Sequence, residues 1–578
     1  MEVWWKERVA YQIYPRSFQD SPGLNGKDGD GIGDIPGIIS RLDEIKDLGA
    51  GIIWLSPVYK SPDADNGYDI SDYCSIDPKF GTMADMERLF AEAAKRDIKI
   101  IMDLVINHTS DEHEWFQKSR DPASPYRGYY IWQPPKVAHD GQRPRRMPGQ
   151  LLAPNNWTGF FMGEVWEYDE KSGEYYLHLF DKKQPDLNYK NPKVIEEIKK
   201  VLRFWLEKGA SGFRCDVINV LYKETLKDGK NGPLASLVPV VRGIEHYKSR
   251  EGNHAILREL RQDVLAKYDC FTVGETVMVD LPEAKLLCDE SRKELDMLFY
   301  FEHLEIDRRI ARFIPKKFRA SALLEVLTKW QQGLEWNALY LENHDQVRIV
   351  SHFGATGELS QDGRPAEFWE RSAKMLAILE LTLRGTPFIY QGQEIGMTNF
   401  DFKSLDEVND VESHGLNRLM KKMHIPGFLR WKWIKASSRD NARTPMQWDG
   451  GVNAGFSLAR PWLGVNGNYR YINYASQKSS PASVLNFYKA LIALRQKNEC
   501  LKHGDFLPLY ADSRLMLYRR KLGNEAYTVA LNFSSRKIKL SKKAVGFLDG
   551  KSLIASTGRS EFNGALLPWE GVLLDKAK

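Results

Sequence analysis

The alternation of short β-rich runs with longer amphipathic segments constrains the fold of this 578-residue chain more than any other feature. Two of the amphipathic segments, residues 36–50 and 83–97, carry apolar residues at helical spacing. Strands that alternate with helices form a parallel sheet, and eight such units close into a barrel. The sequence therefore predicts an α/β fold, a (β/α)8 TIM barrel. The eight β-rich runs are residues 9–15, 50–58, 98–106, 211–218, 270–276, 296–303, 337–345 and 386–394.

Two long stretches interrupt this alternation. Residues 107–175, after the third run, are rich in Pro, Asn, Gly and Trp, and an insertion of that length is typical of a subdomain over an active site. We therefore predict an inserted B domain there, and a further subdomain at 398–460 after the eighth run. Beyond these, a helix leads into runs with period-2 alternation, which indicates a C-terminal antiparallel β-sandwich domain over 481–578. The barrel itself is predicted to comprise 1–106 and 176–480.

The composition argues against several classes of partner. The 82 basic and 77 acidic residues give a net charge of only +5, so nothing points to nucleic acid or an acidic membrane surface. The N-terminal residues lack a secretory signal pattern, and the most apolar window, 373–390, is interrupted by Glu380 and Arg384. The five cysteines lack CxxC spacing and indicate reduced thiols. We expect a cytoplasmic protein, a monomer, that binds neither nucleic acid nor membranes.

Polar and charged residues follow several of the predicted strands. Catalytic residues of (β/α)8 barrels lie at the C-terminal ends of the strands, which meet at one rim. Helix caps or solvated loop acids would explain any one of these residues, but all of them together only by coincidence. The sequence therefore predicts a catalytic site at this rim. The residues are Asp103, Asn107 and His108 after the third run, Arg214 and Asp216 at the fourth, Glu275 at the fifth, and His344 and Asp345 at the seventh.

Nine motifs in a shared order resemble the α-amylase family of glycoside hydrolases, and within it the group of oligo-1,6-glucosidases, dextran glucosidases and α-glucosidases. The resemblance covers the chain almost from end to end. The motifs are YQIYPRSF (11–18), DNGYDISDY (65–73), DLVINH (103–108), QPDLN (184–188), GFRCDVIN (212–219), VGET (273–276), ENHDQ (342–346), GTPFIYQGQEIGM (385–397) and RDNARTPMQW (439–448).

The resemblance implies a role for each acid. Asp216 corresponds to the catalytic nucleophile, Glu275 to the general acid/base, and Asp345 to the acid that holds the 2- and 3-hydroxyls of the sugar. Arg214 lies two residues before Asp216 on the same strand face, so we expect it to lower the pKa of that carboxyl group. Glu275 must keep its proton, which a neighbouring carboxylate favours. The implied retaining mechanism requires a carboxyl separation of about 5–5.5 Å.

Further positions correspond to the sugar pocket of the family. His108 and His344 are implied hydrogen-bond partners of the glucosyl ring. Asp65 and Tyr68 match positions that close the non-reducing end of the pocket, with Arg439 opposite Asp65. A pocket closed in this way holds one glucosyl unit, which implies an exo-acting enzyme. The alternative is that Arg439 is a solvated charge in the basic stretch RWKWIKASSRDNAR (430–443). Arg443 lies four residues further along in the same stretch. Phe180 and Gln184 match additional pocket positions.

The residue after the nucleophile bears on bond preference. Members of the group that resemble α-1,6-glucosidases carry Val at that position, and those that prefer α-1,4 bonds usually carry Thr. This chain has Val217 there. Val cannot donate a hydrogen bond to the aglycone, an effect worth about 1–3 kcal/mol. We therefore expect hydrolysis of α-1,6-glucosidic bonds at the non-reducing ends of isomaltose, panose and isomalto-oligosaccharides. A broad α-1,4/α-1,6-glucosidase is an alternative.

Two other functions have to be weighed. Sucrose isomerases, which form isomaltulose or trehalulose, carry an Arg-Leu-Asp-Arg-Asp signature after the sixth strand. Here the stretch is EIDRR (305–309), in which Asp307 and Arg308 match but Glu305 and Arg309 do not. Amino-acid transporter heavy chains share the barrel but carry a membrane span and generally lack the catalytic acids. This sequence has all three acids, so that role is improbable.

The stretch DGDGIGD (28–34) resembles the short Ca²⁺ or Mg²⁺ loop of the family. It is not an EF-hand, because Ile39 stands where the twelfth-position Glu is required. Residues 22–27 look inserted, and Asp28 replaces the usual Asn, so a Gly/Asp turn without an ion is the alternative. An ion here would be structural, and catalysis is expected to need no cofactor. The implied ligands are Asp20, Asp28, Asp30, Asp34 and the carbonyl of Ile32.

Overall fold

The structure is a computed structural model, and it describes seven ranges of the chain. These are residues 3–23, 29–137, 150–230, 240–309, 314–355, 366–540 and 551–575.

Eight parallel strands form the centre of the fold. Each predicted β-rich run contains one of them, shorter than the run itself. The strands are β1 (Ala10–Ile13), β2 (Ile52–Leu55), β3 (Lys99–Leu104), β4 (Gly212–Cys215), β5 (Phe271–Glu275), β6 (Met297–Phe299), β7 (Ala338–Leu339) and β8 (Thr386–Tyr390). Backbone pairing gives the order β6-β5-β4-β3-β2-β1-β8-β7. The predicted (β/α)8 architecture is thus confirmed, as a nearly closed barrel.

Side chains connect β6 to β7, where the described residues show no backbone ladder. The His303 ring donates from Nε2 to the Tyr340 carbonyl at 2.8 Å, and the Tyr340 hydroxyl donates to the Tyr300 carbonyl at 2.9 Å. All three side chains are buried. These hydrogen bonds hold together the only pair of neighbouring described strands that lacks a ladder.

Amphipathic helices surround the strands and bury their apolar faces against them. The helix Met83–Lys95 begins with a capping box between Thr82 and Asp85. The helix Pro192–Lys208 has Pro at its first position and ends at Gly209, whose φ of 119° favours glycine. The other helices around the barrel are Ile35–Ser40, Leu42–Leu48, Glu251–Asp263, Leu281–Cys288, Ala320–Gly333, Ile349–Phe353 and Trp369–Thr382.

The insertion after β3, which we call the inserted domain, carries its own antiparallel sheet. Isolated bridges join His108 to Asp186 and Tyr130 to Leu187, so the domain returns to the barrel near residue 187 rather than at the expected boundary of 175. The sequence boundary fell too early because the last strand and the bridging segment lie beyond the Trp- and Gly-rich stretch. The domain contains helix Glu114–Ser119, the sheet Trp132–Gln133, Glu174–Leu177 and Trp166–Asp169, and the hairpin Lys136–Val137 with Leu151–Leu152.

Helices follow β8 in the region expected to be a subdomain. The first two of them pack on each other through an apolar cluster that includes Leu416, Met420 and Ile434. The third helix ends at Arg443. It places Arg439 and Arg443 of the basic stretch beside the C-terminal ends of the barrel strands, where both contact Asp345. The helices are Val411–Lys422, Gly427–Ser437 and Asp440–Arg443, followed by Tyr474–Lys478.

A five-stranded antiparallel sheet forms the C-terminal part of the chain. A two-stranded sheet, Ile538–Lys539 with Ala565–Leu566, packs on it through a cluster that includes Leu515, Leu517 and Leu566. The sheet starts at Asp505. Helix Val484–Gln496, which the sequence predicts as part of the C-terminal domain, packs on Trp369–Thr382 and Leu42–Leu48 of the barrel. Helix Glu499–His503 then leads into the sheet. Its strands are, in spatial order, Asp505–Ala511, Leu515–Leu522, Glu525–Asn532, Gly571–Asp575 and Lys551–Ala555.

Within the described ranges, no helix combines the length and the apolar character that crossing a membrane requires. The five cysteines, 74, 215, 270, 288 and 500, are all free thiols.

Candidate active site

Arg214 lies at the centre of a group of acids, which we call the Arg214 cluster (Arg214, Asp103, Asp216 and Glu275). Arg214 and Asp103 are register partners on the adjacent strands β4 and β3, so their side chains project to the same side of the sheet. The guanidinium Nη1 lies 2.8 Å from Asp103 Oδ1 and 2.7 Å from Asp216 Oδ1. Its Nη2 lies 2.6 Å from Glu275 Oε2. One buried cation therefore contacts three carboxyl groups from three neighbouring strands.

The two acids expected to carry the chemistry approach each other closely. Asp216 directly follows β4 and Glu275 is the last residue of β5, so parallel pairing of these strands brings both to the same rim. Their carboxyl groups contact the same guanidinium, at 2.7 Å for Asp216 and 2.6 Å for Glu275. Retaining glycosidases hold their two carboxyl groups about 5–5.5 Å apart, and two carboxyl groups on one guanidinium fit that arrangement.

Arg214 lowers the pKa of Asp216 as expected, but the net shift of that pKa in the free protein is upward. Burial raises the pKa of Asp216 well above its ordinary value, the negative charges of Glu275 and Asp103 raise it further, and Arg214 offsets only part of this. The sequence prediction considered the nearest cation alone. Burial and two further acids outweigh that cation because one guanidinium faces three carboxyl groups.

Asp103 is a member of the site to which sequence reasoning gave no role. It is fully buried, and its Oδ2 accepts hydrogen bonds from the Trp54 indole at 3.1 Å and the Tyr68 hydroxyl at 3.0 Å. The Arg214 guanidinium also lies 5.1 Å from the Trp54 ring centroid. Asp103 and Trp54 thus hold the Arg214 guanidinium in place, through an ion pair and a ring contact respectively. Its place at a strand end within DLVINH was the available signal.

A second group, the Arg439 cluster (Arg439, Arg443, Asp65, Asp345 and Asp410), lies on the opposite side of the rim. The predicted contact between Arg439 and Asp65 is present, at 3.1 Å from Nη2 to Oδ1. Arg439 also contacts Asp345 at 3.2 Å and Asp410 at 2.7 Å. Arg443, four residues further along, also contacts Asp345, at 2.6 Å. Both arginines are therefore paired and buried, which rules out a solvated role for Arg439.

Two acids of the Arg439 cluster have lowered pKa values, in contrast to Asp216. Although burial opposes ionisation, His344, Arg439 and Arg443 hold the pKa of Asp345 well below its usual range. Burial likewise opposes ionisation of Asp410, but the two arginines lower its pKa to about 2. Asp410 lies in an irregular stretch, and nothing local in the sequence singled it out. Of the three, only Asp65 has a raised pKa, because its burial outweighs the two arginines.

The two histidines lie on either side of Tyr68. The His344 ring stacks on the Tyr68 ring at a centroid distance of 5.1 Å, and its Nε2 lies 3.2 Å from Asp345 Oδ2. His108 Nε2 lies 3.1 Å from the Tyr68 carbonyl, and burial lowers the pKa of His108 to about 4. The structure thus brings both histidines to the site, where His108 is neutral near pH 7.

Gln184 and Phe180 extend the site towards the inserted domain. The Gln184 amide nitrogen donates to Asp65 Oδ2 at 3.2 Å, so this residue supports the acid that Arg439 contacts. The Phe180 ring stacks on Phe160 at 4.9 Å and packs edge-on against Phe161 at 5.7 Å. Phe161 was not anticipated. Its ring lies 5.0 Å from the Arg439 guanidinium, so an aromatic residue of the inserted domain covers this arginine.

Val217 adopts an unusual backbone conformation, with φ 37° and ψ 42°, which is strained for a β-branched residue. Its backbone N–H points to Glu275 Oε2 at 3.4 Å. Its side chain is 5% exposed and packs in the apolar core of the inserted domain with Val220 and Tyr247. Val217 therefore connects the segment that carries Asp216 to the inserted domain.

The expected cation loop is only partly described, because Asp28 lies outside the described residues. The Asp34 carboxylate caps helix Ile35–Ser40 and also accepts from Ser21, and burial raises its pKa to about 6. Asp20 Oδ2 accepts from the Gly31 N–H at 2.8 Å and from Ser457 at 2.6 Å. The oxygens suit a hard cation, but the carboxylates of Asp20, Asp30 and Asp34 do not all converge within 4.8 Å in the described part of the loop.

Comparison with known proteins agrees with this geometry. The family described as alpha amylase, catalytic domain, matches residues 12–504. The oligo-1,6-glucosidase of Parageobacillus thermoglucosidasius is 47% identical over 542 residues, which cover 92% of this chain and 91% of that protein. The oligo-1,6-glucosidase of Bacillus cereus is 46% identical over 549 residues, 92% and 91% of the two chains. The solved structure of isomaltulose synthase from Protaminobacter rubrum matches with a TM-score of 0.89 at 40% identity, covering 100% of this chain and 99% of the other. This chain therefore belongs to the α-amylase family of glycoside hydrolases.

Proposed function

We propose that the protein is an exo-acting, retaining α-glucosidase that hydrolyses α-1,6-glucosidic bonds at the non-reducing ends of isomaltose, panose and isomalto-oligosaccharides. The observation that carries this proposal is the 3.1 Å ion pair between Asp65 and Arg439, set opposite the Arg214 cluster. Relatives named oligo-1,6-glucosidases, at up to 47% identity, support the choice of bond.

The reaction follows from the roles of two acids. Asp216 attacks the anomeric carbon while Glu275 gives its proton to the departing glycosidic oxygen, leaving a glucosyl ester on Asp216. Glu275, now a carboxylate, takes a proton from water, whose oxygen attacks the same carbon and releases α-glucose. The contact of both carboxyl groups with the Arg214 guanidinium supports this assignment, since it holds the two acids side by side at the rim.

The Arg439 cluster binds rather than reacts in this proposal. Asp345, kept ionised by His344 and the two arginines, accepts hydrogen bonds from two sugar hydroxyls. Asp65 and Arg439 end the pocket beyond the glucosyl ring, so a longer chain cannot extend past its non-reducing end. The enzyme then removes one glucose at a time.

The bond preference rests on Val217. Its side chain packs mainly into the inserted domain, so we infer that it shapes the aglycone side of the pocket as an apolar surface. The alternative is a broad α-1,4/α-1,6-glucosidase. In such an enzyme we would expect a hydrogen-bonding residue at position 217.

Sucrose isomerisation is the second candidate, favoured by the similarity to isomaltulose synthase. Asp307 and Arg308, the two residues that match the isomerase signature, lie close to each other, and Asp307 contacts His352 Nε2 at 3.0 Å. Glu305 stands where the isomerases carry their leading Arg, which favours hydrolysis.

One incubation series tests the assignment. The protein is incubated with isomaltose, panose, maltose and sucrose, and the products are resolved by chromatography. We expect glucose from isomaltose and panose at rates above that from maltose. Isomaltulose or trehalulose from sucrose would assign the protein to the isomerases, and maltose hydrolysis equal to isomaltose hydrolysis would assign it to the broad glucosidases. The Asp216→Asn variant is the matched control for contaminating activity.

We also propose that one structural Ca²⁺ or Mg²⁺ binds the loop through Asp20, Asp28, Asp30, Asp34 and the Ile32 carbonyl. Asp20 and Asp34 are neighbouring buried carboxyls with raised pKa values, and a cation would relieve both. Binding should raise the melting temperature on addition of Ca²⁺ and lower it with EDTA. An Asp30→Asn variant should lose this response while keeping its hydrolytic rate, and identical melting curves with and without Ca²⁺ would refute the site.

We further propose a cytoplasmic monomer without nucleic-acid partners. The near balance of charges and the five free thiols support this. Light scattering of the purified protein at micromolar concentration should give a mass near 66.5 kDa, and a value near twice that would refute the monomer.

A further inference from the structure

A buried chain of hydrogen bonds leads from Lys223 through Asn107 to the ring of His108. Lys223 Nζ donates to Asn107 Oδ1 at 2.7 Å and pairs with Asp186 Oδ2 at 2.6 Å. The Asn107 amide nitrogen lies 3.2 Å from His108 Nδ1. None of these four side chains is more than 3% exposed. The mechanism described above gives Lys223 and Asn107 no role.

The chemistry of lysine fixes the orientation of the Asn107 amide. A lysine ammonium only donates, so the Asn107 atom that it contacts is the oxygen. The amide nitrogen therefore faces His108, and it donates only if Nδ1 carries no proton. The single proton of the neutral ring then lies on Nε2.

The other contacts of the His108 ring do not all favour that tautomer. The Tyr68 carbonyl, 3.1 Å from Nε2, only accepts and so agrees with a proton there. The Gln184 amide nitrogen, also 3.1 Å from Nε2, would donate to an unprotonated Nε2 instead. The Gln184 amide cannot turn over freely, because its Oε1 accepts from the Asp181 N–H at 2.9 Å. The tautomer is therefore decided by a balance to which Lys223 contributes through Asn107.

We propose that Lys223 is a positioning residue that, through Asn107, keeps the proton of His108 on Nε2, the nitrogen beside Gln184 at the glucosyl pocket. In that tautomer Nε2–H donates to the Tyr68 carbonyl, so His108 presents a donor rather than an acceptor beside Gln184. The charged groups nearest the ring are Lys223 and Asp186, and they neutralise each other. The tautomer itself does not depend on the reaction, while its effect on turnover rests on the proposed glucosidase function.

Nitrogen-15 NMR of the protein labelled in histidine tests the tautomer, with a His108→Gln variant to assign the signal. At pH 8 we expect the neutral Nε2–H form in the unaltered protein. In Asn107→Asp the carboxylate only accepts, so the proton should move to Nδ1 while the Lys223–Asp186 pair is kept. In Lys223→Met the signal should show a mixture of both tautomers. Both variants should lose about tenfold in kcat/KM on isomaltose, the effect of one neutral hydrogen bond.

Lys199→Met is the matched control. Lys199 is equally buried and has three acidic partners, Glu196, Glu259 and Asp263, on the outside of the barrel. It should lose stability without any change in the His108 signal or in kcat/KM.

Each outcome decides the proposal. An Nδ1–H signal in the unaltered protein, or an unchanged signal in Asn107→Asp, would overturn it, and the second result holds even if Lys223→Met fails to fold. A shifted tautomer with unchanged kcat/KM would also overturn the positioning role. If neither the unaltered protein nor any variant hydrolyses isomaltose, the proposed glucosidase function fails. The NMR signals would still decide whether Lys223 sets the tautomer of His108.

Discussion

The Arg214 cluster and the Arg439 cluster contain the same kinds of side chain but differ in how many cations lie near each carboxyl group. In the first, one guanidinium contacts three buried carboxyl groups, and the pKa of Asp216 is raised. In the second, Arg439 and Arg443 lower the pKa values of Asp345 and Asp410, while burial raises that of Asp65. Two nearby cations thus keep a buried carboxyl group ionised where one shared cation does not. The proposed first step needs the retained proton on Glu275 and an ionised Asp216, whereas an ionised Asp345 suits the binding of hydroxyl groups.

The largest expected effect is that of Asp216→Asn. An amide cannot form the glucosyl ester, so kcat/KM on isomaltose should fall by at least about 10⁴-fold. The melting temperature should stay equal or rise, because the substitution removes a buried carboxyl group whose ionisation is opposed. If the variant hydrolyses isomaltose within tenfold of the unaltered enzyme, as measured by glucose release, the nucleophile assignment is wrong.

The two arginines should differ in their effect on stability. Arg214→Met leaves three buried carboxyl groups without their shared cation and should lower the free energy of unfolding by about 3–5 kcal/mol. Arg439→Met should cost less, about 1–3 kcal/mol, because Arg443 still contacts Asp345 and still lowers the pKa of Asp410. Urea unfolding of both variants measures this difference. Equal losses would show that Arg443 does not compensate for the loss of Arg439.

The pH dependence of stability should have opposite signs for the two clusters. Asp410, with a pKa lowered to about 2, stabilises the fold above its unfolded value near 4, and this contribution of about 2 kcal/mol is lost as the pH falls towards 2. Asp216, with a raised pKa, stabilises the fold when protonated, and that contribution is lost as the pH rises. Urea unfolding between pH 3 and pH 9 should therefore show a smaller acid loss in Asp410→Asn and a smaller alkaline loss in Asp216→Asn. The reverse assignment of the two losses would contradict the pKa directions.

The smallest expected effect is that of Val217→Thr. Because a hydroxyl group can hydrogen-bond an aglycone that Val cannot, the ratio of maltose to isomaltose hydrolysis should rise severalfold, within the limit of about 1–3 kcal/mol for one pocket contact. Val217→Ala is the control, since it removes apolar contact without adding a donor. An unchanged ratio of kcat/KM values would remove Val217 from the determinants of bond preference.

Much of the site followed from the sequence because it depends on local geometry. Period-2 spacing places Arg214 and Asp216 on one strand face, and parallel strands bring Glu275 and Asp103 to the same rim. The motifs located the Asp65–Arg439 contact across more than 370 residues. The end of the inserted domain was missed because its last bridging segment has no compositional boundary. Asp410 was missed because an acid in an irregular stretch carries no periodic signal.

The sequence by itself determined the eight strand-and-helix units, the family and the acids that meet at the rim, since backbone periodicity and motif order are properties of the chain. Only the tertiary structure decided the sign of the Asp216 pKa shift and the hydrogen-bonded chain from Lys223 to His108. The packing of Val217 against the inserted domain also required it. These depend on burial and on distances between separate elements. Both arise when the elements pack together, so no local pattern of residues encodes them.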